Sequence, residues 1–112
     1  MSRAVPDRLR DILDAIDRCR AYQESMTSGD PVLAAMAHDA VLRNIGVIGE
    51  AVKQLPAELT GRHPEIDWTA IVGMRNIVVH EYFRVEAAML IDVLETDLRQ
   101  LAGILVFELD NQ

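Results

Sequence analysis

The chain has 112 residues, is 50% hydrophobic but only 4% aromatic, and carries a formal net charge of -7. That length fits one domain, residues 1–112, of a size that buries roughly 65% of the surface its unfolded chain exposes. With leucine, isoleucine, valine and alanine dominant, the composition favours an all-α bundle over a sandwich or barrel. The acidic balance argues against a broad basic face for phosphates, so any contact with RNA must use a local cluster of arginines or a partner's help. An acidic surface otherwise serves solubility or a basic partner protein.

The opening stretch MSRAVPDRLRDIL has charges threaded through it and no apolar core of signal-peptide length. The uncharged apolar run Leu101 to Phe107 is too short to span a bilayer, so the expectation is a cytoplasmic protein without a membrane segment. A single cysteine, Cys19, makes no internal disulfide and reads as a small core residue.

A first helix is predicted from Pro6 to Ser25, since Pro6 is tolerated in a first turn and Leu9, Ile12, Ile16 and Cys19 recur at spacings of three and four. In MTSGDP, Gly29 stops that helix, Asp30 caps the next and Pro31 takes its first position. The second helix runs to Leu55 on a stripe of Val41, Ile45, Ile48, Val52 and Leu55. Gly46 and Gly49 inside it each cost roughly 1 kcal/mol against alanine and mark a close helix approach. PAELTGRHPEID reads as one short helical turn and a loop, with His63 in the loop. Asp67 then caps a third helix containing Trp68, Ile71, Met74 and the stretch GMRNIVVHEYF. A last helix is predicted from Val85 to Leu109, with Ala87, Ile91, Leu94, Leu98, Leu101 and Leu105 forming a seam that suits either the core or a second subunit. Four main helices with short connections make an up-and-down bundle.

GMRNIVVHEYF gathers Arg75, Asn76, His80, Glu81 and Tyr82 in one short stretch. On a helix, Arg75 and His80 point about 140° apart and stand roughly 7.5 Å apart along the axis. A site using both is more easily completed where two copies of the helix meet across a two-fold axis. A histidine can take or give a proton, and an arginine can hold a phosphate through its planar fork. With an amide such as Asn76, these groups suit cleavage of an RNA phosphodiester by its own 2′-hydroxyl, with no metal, and DNA lacks that hydroxyl. The bland reading of the same residues is a surface salt-bridge partner, a satisfied buried histidine and a half-buried helix tyrosine.

Arg75, four residues, His80, one residue and Tyr82 resemble the Arg-x4-His-x-Tyr motif of the HEPN-domain ribonuclease toxins of the HepT family. DAVLRNIGVIGEAVKQLP resembles that family's second-helix signature and PEIDWTAIVGMRN its approach to the motif, so the likeness runs from about Leu9 to Leu101. The resemblance implies a four- to five-helix HEPN bundle that dimerises through the motif helices and works as a metal-independent endoribonuclease toxin without a cofactor. It implies Arg75 and His80 as the catalytic pair and Asn76 as the residue that orients or binds the phosphate. It also implies a partner, a minimal nucleotidyltransferase antitoxin of the MntA type, which transfers adenylyl groups from ATP to Tyr82. One departure is Gly46, where the signature is expected to carry an acidic residue. Arg43, Asn44 and Glu50 remain to support the cleft from the second helix, or to serve as surface charges.

His38, His63 and His80 are scattered over three elements without a zinc-ligand spacing, and no glycine-rich phosphate loop is present, since no Gly-Lys-Ser/Thr follows Gly46 and Gly49. The rival reading is a non-catalytic HEPN interaction module that binds a protein, a nucleotide or RNA.

Overall fold

The computed structural model describes residues 3–112, so the first two residues of the opening stretch lie outside it. Six α-helices run as α1 (Val5–Gln23), α2 (Pro31–Lys53), α3 (Ala57–Gly61), α4 (Trp68–Glu81), α5 (Ala87–Glu95) and α6 (Asp97–Asp110). Short 3-10 turns follow α1 and α4, at Glu24–Thr27 and Tyr82–Arg84, and no strand occurs among the described residues. The all-α bundle expected from composition is the fold.

Two helix starts follow from their capping carboxylates. Asp30 Oδ1 accepts from the N–H groups of Val32 and Leu33 at 3.0 and 3.4 Å, and Pro31 occupies the first turn, where a missing N–H costs nothing. Asp67 Oδ1 accepts from the Ala70 N–H at 3.0 Å and opens α4. The Trp68 indole then donates to the His63 carbonyl oxygen at 3.0 Å, tying the start of α4 to the loop before it.

The core lies where α1, α2 and α6 meet. Leu9, Ile12, Ile16 and Cys19 of α1, Val41 and Ile48 of α2, and Leu98, Leu101 and Leu105 of α6 are all completely shielded from solvent. The late leucine seam therefore faces the core of its own chain, which settles the choice left by its spacing. Cys19 is part of the same core, and burial pushes its thiol pKa up to about 12. α2 is long and apolar enough by length and composition alone to cross a bilayer. Here it is the central helix, with α1 on one side and α4 on another.

The predicted last helix is two helices. α5 stops at Glu95, and Thr96 takes φ -113° and ψ -78°, while its hydroxyl donates to the Asp92 carbonyl at 2.6 Å. A β-branched residue whose hydroxyl bonds back four residues bends a helix without proline or glycine. The same rail of leucines continues across the bend, with Leu94 and Leu98 both buried on either side.

The glycines of α2 separate into two kinds. A methyl group on Gly49 would stand 3.1 Å from the Ile71 carbonyl oxygen and 3.2 Å from the Arg75 Cβ, so α4 rests directly on it. A methyl group on Gly46 would make an ordinary 3.7 Å contact with Val78 Cγ1. Gly49→Ala is therefore expected to lower stability by about 1–3 kcal/mol through overpacking, whereas Gly46→Ala should raise it by about 0.5–1 kcal/mol through better helix propensity. Urea unfolding of the two variants checks the pair, and equal effects of the same sign would refute the close approach.

One polar cluster is built into the far end of the bundle. Glu108 of α6 is 3% exposed, with Arg62 donating to Oε1 and His63 Nε2 lying 2.6 Å from Oε2. The hydrogen bonds from Arg62 and then His63 hold the Glu108 carboxyl below the usual carboxylate range. His63 is thus in a loop, as its neighbour Pro64 suggests, but its ring is a fixed partner of a buried carboxylate.

Candidate functional site

α4 places most of the motif on one exposed element. Ile71 is its only buried residue, and Arg75, Asn76, Ile77, Val79 and His80 are all exposed. Trp68, Val72, Met74 and Val78 pack part-buried against the core, whereas Ile77 and Val79 are left uncovered on a face that another surface can complete. Between α4 and α5 an apolar hollow of about 90 Å³ remains, lined by Met74, Ile77, Val85 and Met89 among others.

Arg75 sits mid-helix with its Cβ against Gly49. Its Nε lies 2.9 Å from Glu50 Oε2, both side chains being about half exposed. At that exposure the pair contributes under about 1 kcal/mol, so its consequence is orientation. A carboxylate does reach the motif helix from α2, and it comes from Glu50, four residues after the unexpected Gly46, which faces Val78 instead. Glu50 was readable as a candidate from the second-helix signature, but its partner was not.

His80 lies in the last turn of α4, and among the described residues neither its ring nor the Asn76 amide has a hydrogen-bond partner. Tyr82 departs from the expectation of a motif carried on one helix. α4 ends at Glu81, whose φ of -135° and ψ of 25° leave the helical region, and Tyr82 opens the 3-10 turn beyond. Its ring is 61% exposed, packed edge-to-face on Phe83 at 6.0 Å, with the Arg84 guanidinium 5.6 Å over the Phe83 ring. Glu81 pairs with Arg84 at 3.5 Å. The turn is held from α2, because the His38 Nε2 lies 2.9 Å from the Val85 carbonyl oxygen.

Arg43 and Asn44 lie elsewhere, in a groove between α1 and α2 that also includes Glu50. Asn44 is 4% exposed, with its Nδ2 donating to the Ala40 carbonyl oxygen at 2.8 Å and its Oδ1 without a partner. The structure therefore brings Arg75, Asn76 and His80 onto one helix with Tyr82 at its end, links Arg75 to α2 through Glu50, and leaves Arg43 and Asn44 on the α1 side of α2. Among the described residues no three His, Cys, Asp or Glu side chains gather as a metal-holding group.

The model of the family described as "Ribonuclease HepT-like" matches residues 12–106. The chain belongs to that family. The match spans α2 to α5 and most of α1 and α6. A Thermococcus cleftensis protein named "Probable ribonuclease HepT" is 32% identical over 103 residues, 92% of this chain and 94% of that protein. A Methanocaldococcus jannaschii protein named as a "Gamma-glutamylcyclotransferase and putative RNase" is 33% identical over 101 residues, 90% of this chain. This HepT-like chain spans 46% of that longer protein. A "Putative RNase" of Caldanaerobacter subterraneus is 38% identical over 72 residues, 64% of this chain and 61% of that one. No solved structure matches the chain.

Proposed function

We propose that this HepT-like chain is the toxin of a toxin–antitoxin pair, a cytoplasmic metal-independent endoribonuclease that works as a homodimer and is silenced at Tyr82. The observation that carries the proposal is α4 itself, which offers Arg75, Asn76 and His80 to solvent together with the uncovered apolar residues Ile77 and Val79. Two such helices packed across a two-fold axis would bury the apolar residues and line a cleft with both sets of polar heads. The roughly 7.5 Å axial offset between Arg75 and His80 within one helix is then spanned by the second copy.

In that cleft the RNA 2′-oxygen attacks the adjacent phosphorus, and the P–O5′ bond breaks to leave a 2′,3′-cyclic phosphate and a 5′-hydroxyl. The 2′-hydroxyl proton must be removed and the 5′-oxygen must gain one, and His80 of the two copies supplies these transfers. Arg75 holds the non-bridging oxygens as negative charge accumulates on them, and Asn76 orients the phosphate. DNA has no 2′-hydroxyl and is not cut. Tyr82, exposed at the end of α4, is within reach of a modifying enzyme. Its phenolic oxygen takes an adenylyl group from ATP on an MntA-type nucleotidyltransferase, and pyrophosphate leaves. The added phosphate charge and adenine at the cleft mouth repel and obstruct RNA together.

The test is cleavage of a labelled RNA by the purified protein in excess EDTA, with and without prior incubation with the partner enzyme and ATP. Cutting should survive the chelator and disappear together with a mass gain in multiples of AMP. No cutting by unmodified protein of confirmed intact mass would favour the interaction module, to which the net charge of -7 lends some weight.

A further inference from the structure

The groove between α1 and α2 has an open volume of about 470 Å³. Arg8 and Arg18 approach it from α1 and Arg43 from α2. Among the described residues none of these three guanidinium groups has a carboxylate partner. Of the acidic groups in the groove, Asp11 is occupied by Arg3, whose Nη2 donates to Oδ1 at 2.7 Å, and Glu50 by Arg75 at 2.9 Å. Asp14 is the remaining carboxylate, so three uncommitted positive charges face one negative charge in a chain that is acidic as a whole. Arg8 and Arg18 are ten residues apart on one helix, about 15 Å, which accommodates more than one phosphate of a strand.

A second observation comes from the groove floor. Asn44 lines the groove, is nearly completely buried, and has a carboxamide oxygen with no hydrogen-bond partner. Its Nδ2 is already committed to the Ala40 carbonyl, which fixes the oxygen as an acceptor in need of a donor. Phosphates supply only acceptors at neutral pH, whereas a ribose 2′-hydroxyl supplies a donor. The Asn44 oxygen is itself shielded from solvent, so such a hydroxyl reaches it only when side chains at the groove floor move aside. Glu50 belongs to the groove and also holds Arg75, so a strand leaving the groove at that end arrives at α4.

We infer that this groove binds the single-stranded RNA flanking the cut, with Arg8, Arg18 and Arg43 on successive phosphates and the Asn44 oxygen accepting from a ribose 2′-hydroxyl. The inference rests on the reading of the chain as an RNA-cutting enzyme and adds where the strand lies and which group distinguishes RNA from DNA there.

The experiment measures fluorescence anisotropy of a short labelled single-stranded RNA, and of the DNA of the same sequence, across a range of salt. It uses the full chain carrying His80→Ala, so that binding is read without cutting. Adding Arg8→Gln and Arg18→Gln together should weaken both oligonucleotides and reduce the slope of log affinity against log salt by about 1.4, for two lost phosphate contacts on a single strand. Adding Asn44→Leu should abolish the preference for RNA over DNA while leaving that slope unchanged. Thermal unfolding of each variant confirms that it is folded, and Asn44→Ala, which also removes the acceptor, serves in place of a leucine variant that is not. An unchanged slope in the arginine variant, or an RNA preference that persists at position 44, overturns the assignment. The two readings fail separately: expected binding without cleavage by the parent protein refutes the reaction alone, and cleavage with unaltered binding in the variants refutes the groove alone.

Discussion

His80→Ala is expected to lower RNA cleavage by about 10²–10⁴-fold, the range in which a positioned general acid–base contributes. The fold should not register the change, because His80 is exposed at the end of α4 and supports no packing or hydrogen bond among the described residues. Single-turnover cleavage of a labelled RNA alongside thermal unfolding separates the two effects. Full activity in this variant would end the assignment of proton transfer to His80. A fall in activity accompanied by an equal fall in folded protein would also contradict it, since the exposed ring has no core contact to lose.

Arg75→Lys is expected to lower the turnover rate by about 10²–10³-fold, comparable with removing a donor that stabilises charge developing in a transition state. A lysine keeps the positive charge but not the planar fork, and its ammonium is a more strongly hydrated point charge. The comparison with Glu50→Gln gives the result its meaning. Glu50 touches Arg75 and not the motif's other groups, so neutralising it should shift the arginine's orientation and produce a smaller loss than changing the arginine itself. Measured kcat and KM for both variants decide the matter. If Arg75→Lys raised KM alone, Arg75 would bind ground state and transition state equally and its role in the chemical step would be withdrawn.

Sequence reading was strongest where the cause of a structure is local. Asp30 and Asp67 announce their helices because a carboxylate one position before a helix meets its free N–H groups. The leucines from Leu94 to Leu105 declare a buried rail because their spacing follows the helical repeat. The bend at Thr96 escaped because neither of the usual breakers, proline or glycine, marks it, and a threonine hydroxyl that bonds back to Asp92 looks no different in sequence from one that faces water. The end of α4 at Glu81 escaped for a similar reason, since nothing between His80 and Arg84 forbids another turn of helix.

The candidate site divides in the same way. Arg75, His80 and Tyr82 stood out by their spacing and by resemblance, and Arg43 and Asn44 by their place in the second-helix signature. Their spatial relations did not, because they depend on tertiary approach. The Glu50–Arg75 pair joins two helices that meet where Gly49 leaves no room for a side chain. The Arg62, His63 and Glu108 cluster joins positions 45 and 46 residues apart. Whether an amide such as Asn44 is satisfied depends on every neighbour at once, and no pattern in the chain encodes that.

The uncovered outer face of α4 has a consequence for how the protein behaves over time. With Ile71 as its one fully buried residue and the part-buried Trp68, Val72, Met74 and Val78 holding it to the core, α4 is expected to exchange its amide hydrogens through local openings sooner than α1, α2 and α6, which contribute most of the shielded side chains. Any surface that binds only its closed form suppresses those openings by mass action. If that surface is a second copy, as the proposed function has it, activity would depend on how much of the protein is present, and dilution alone would lower it.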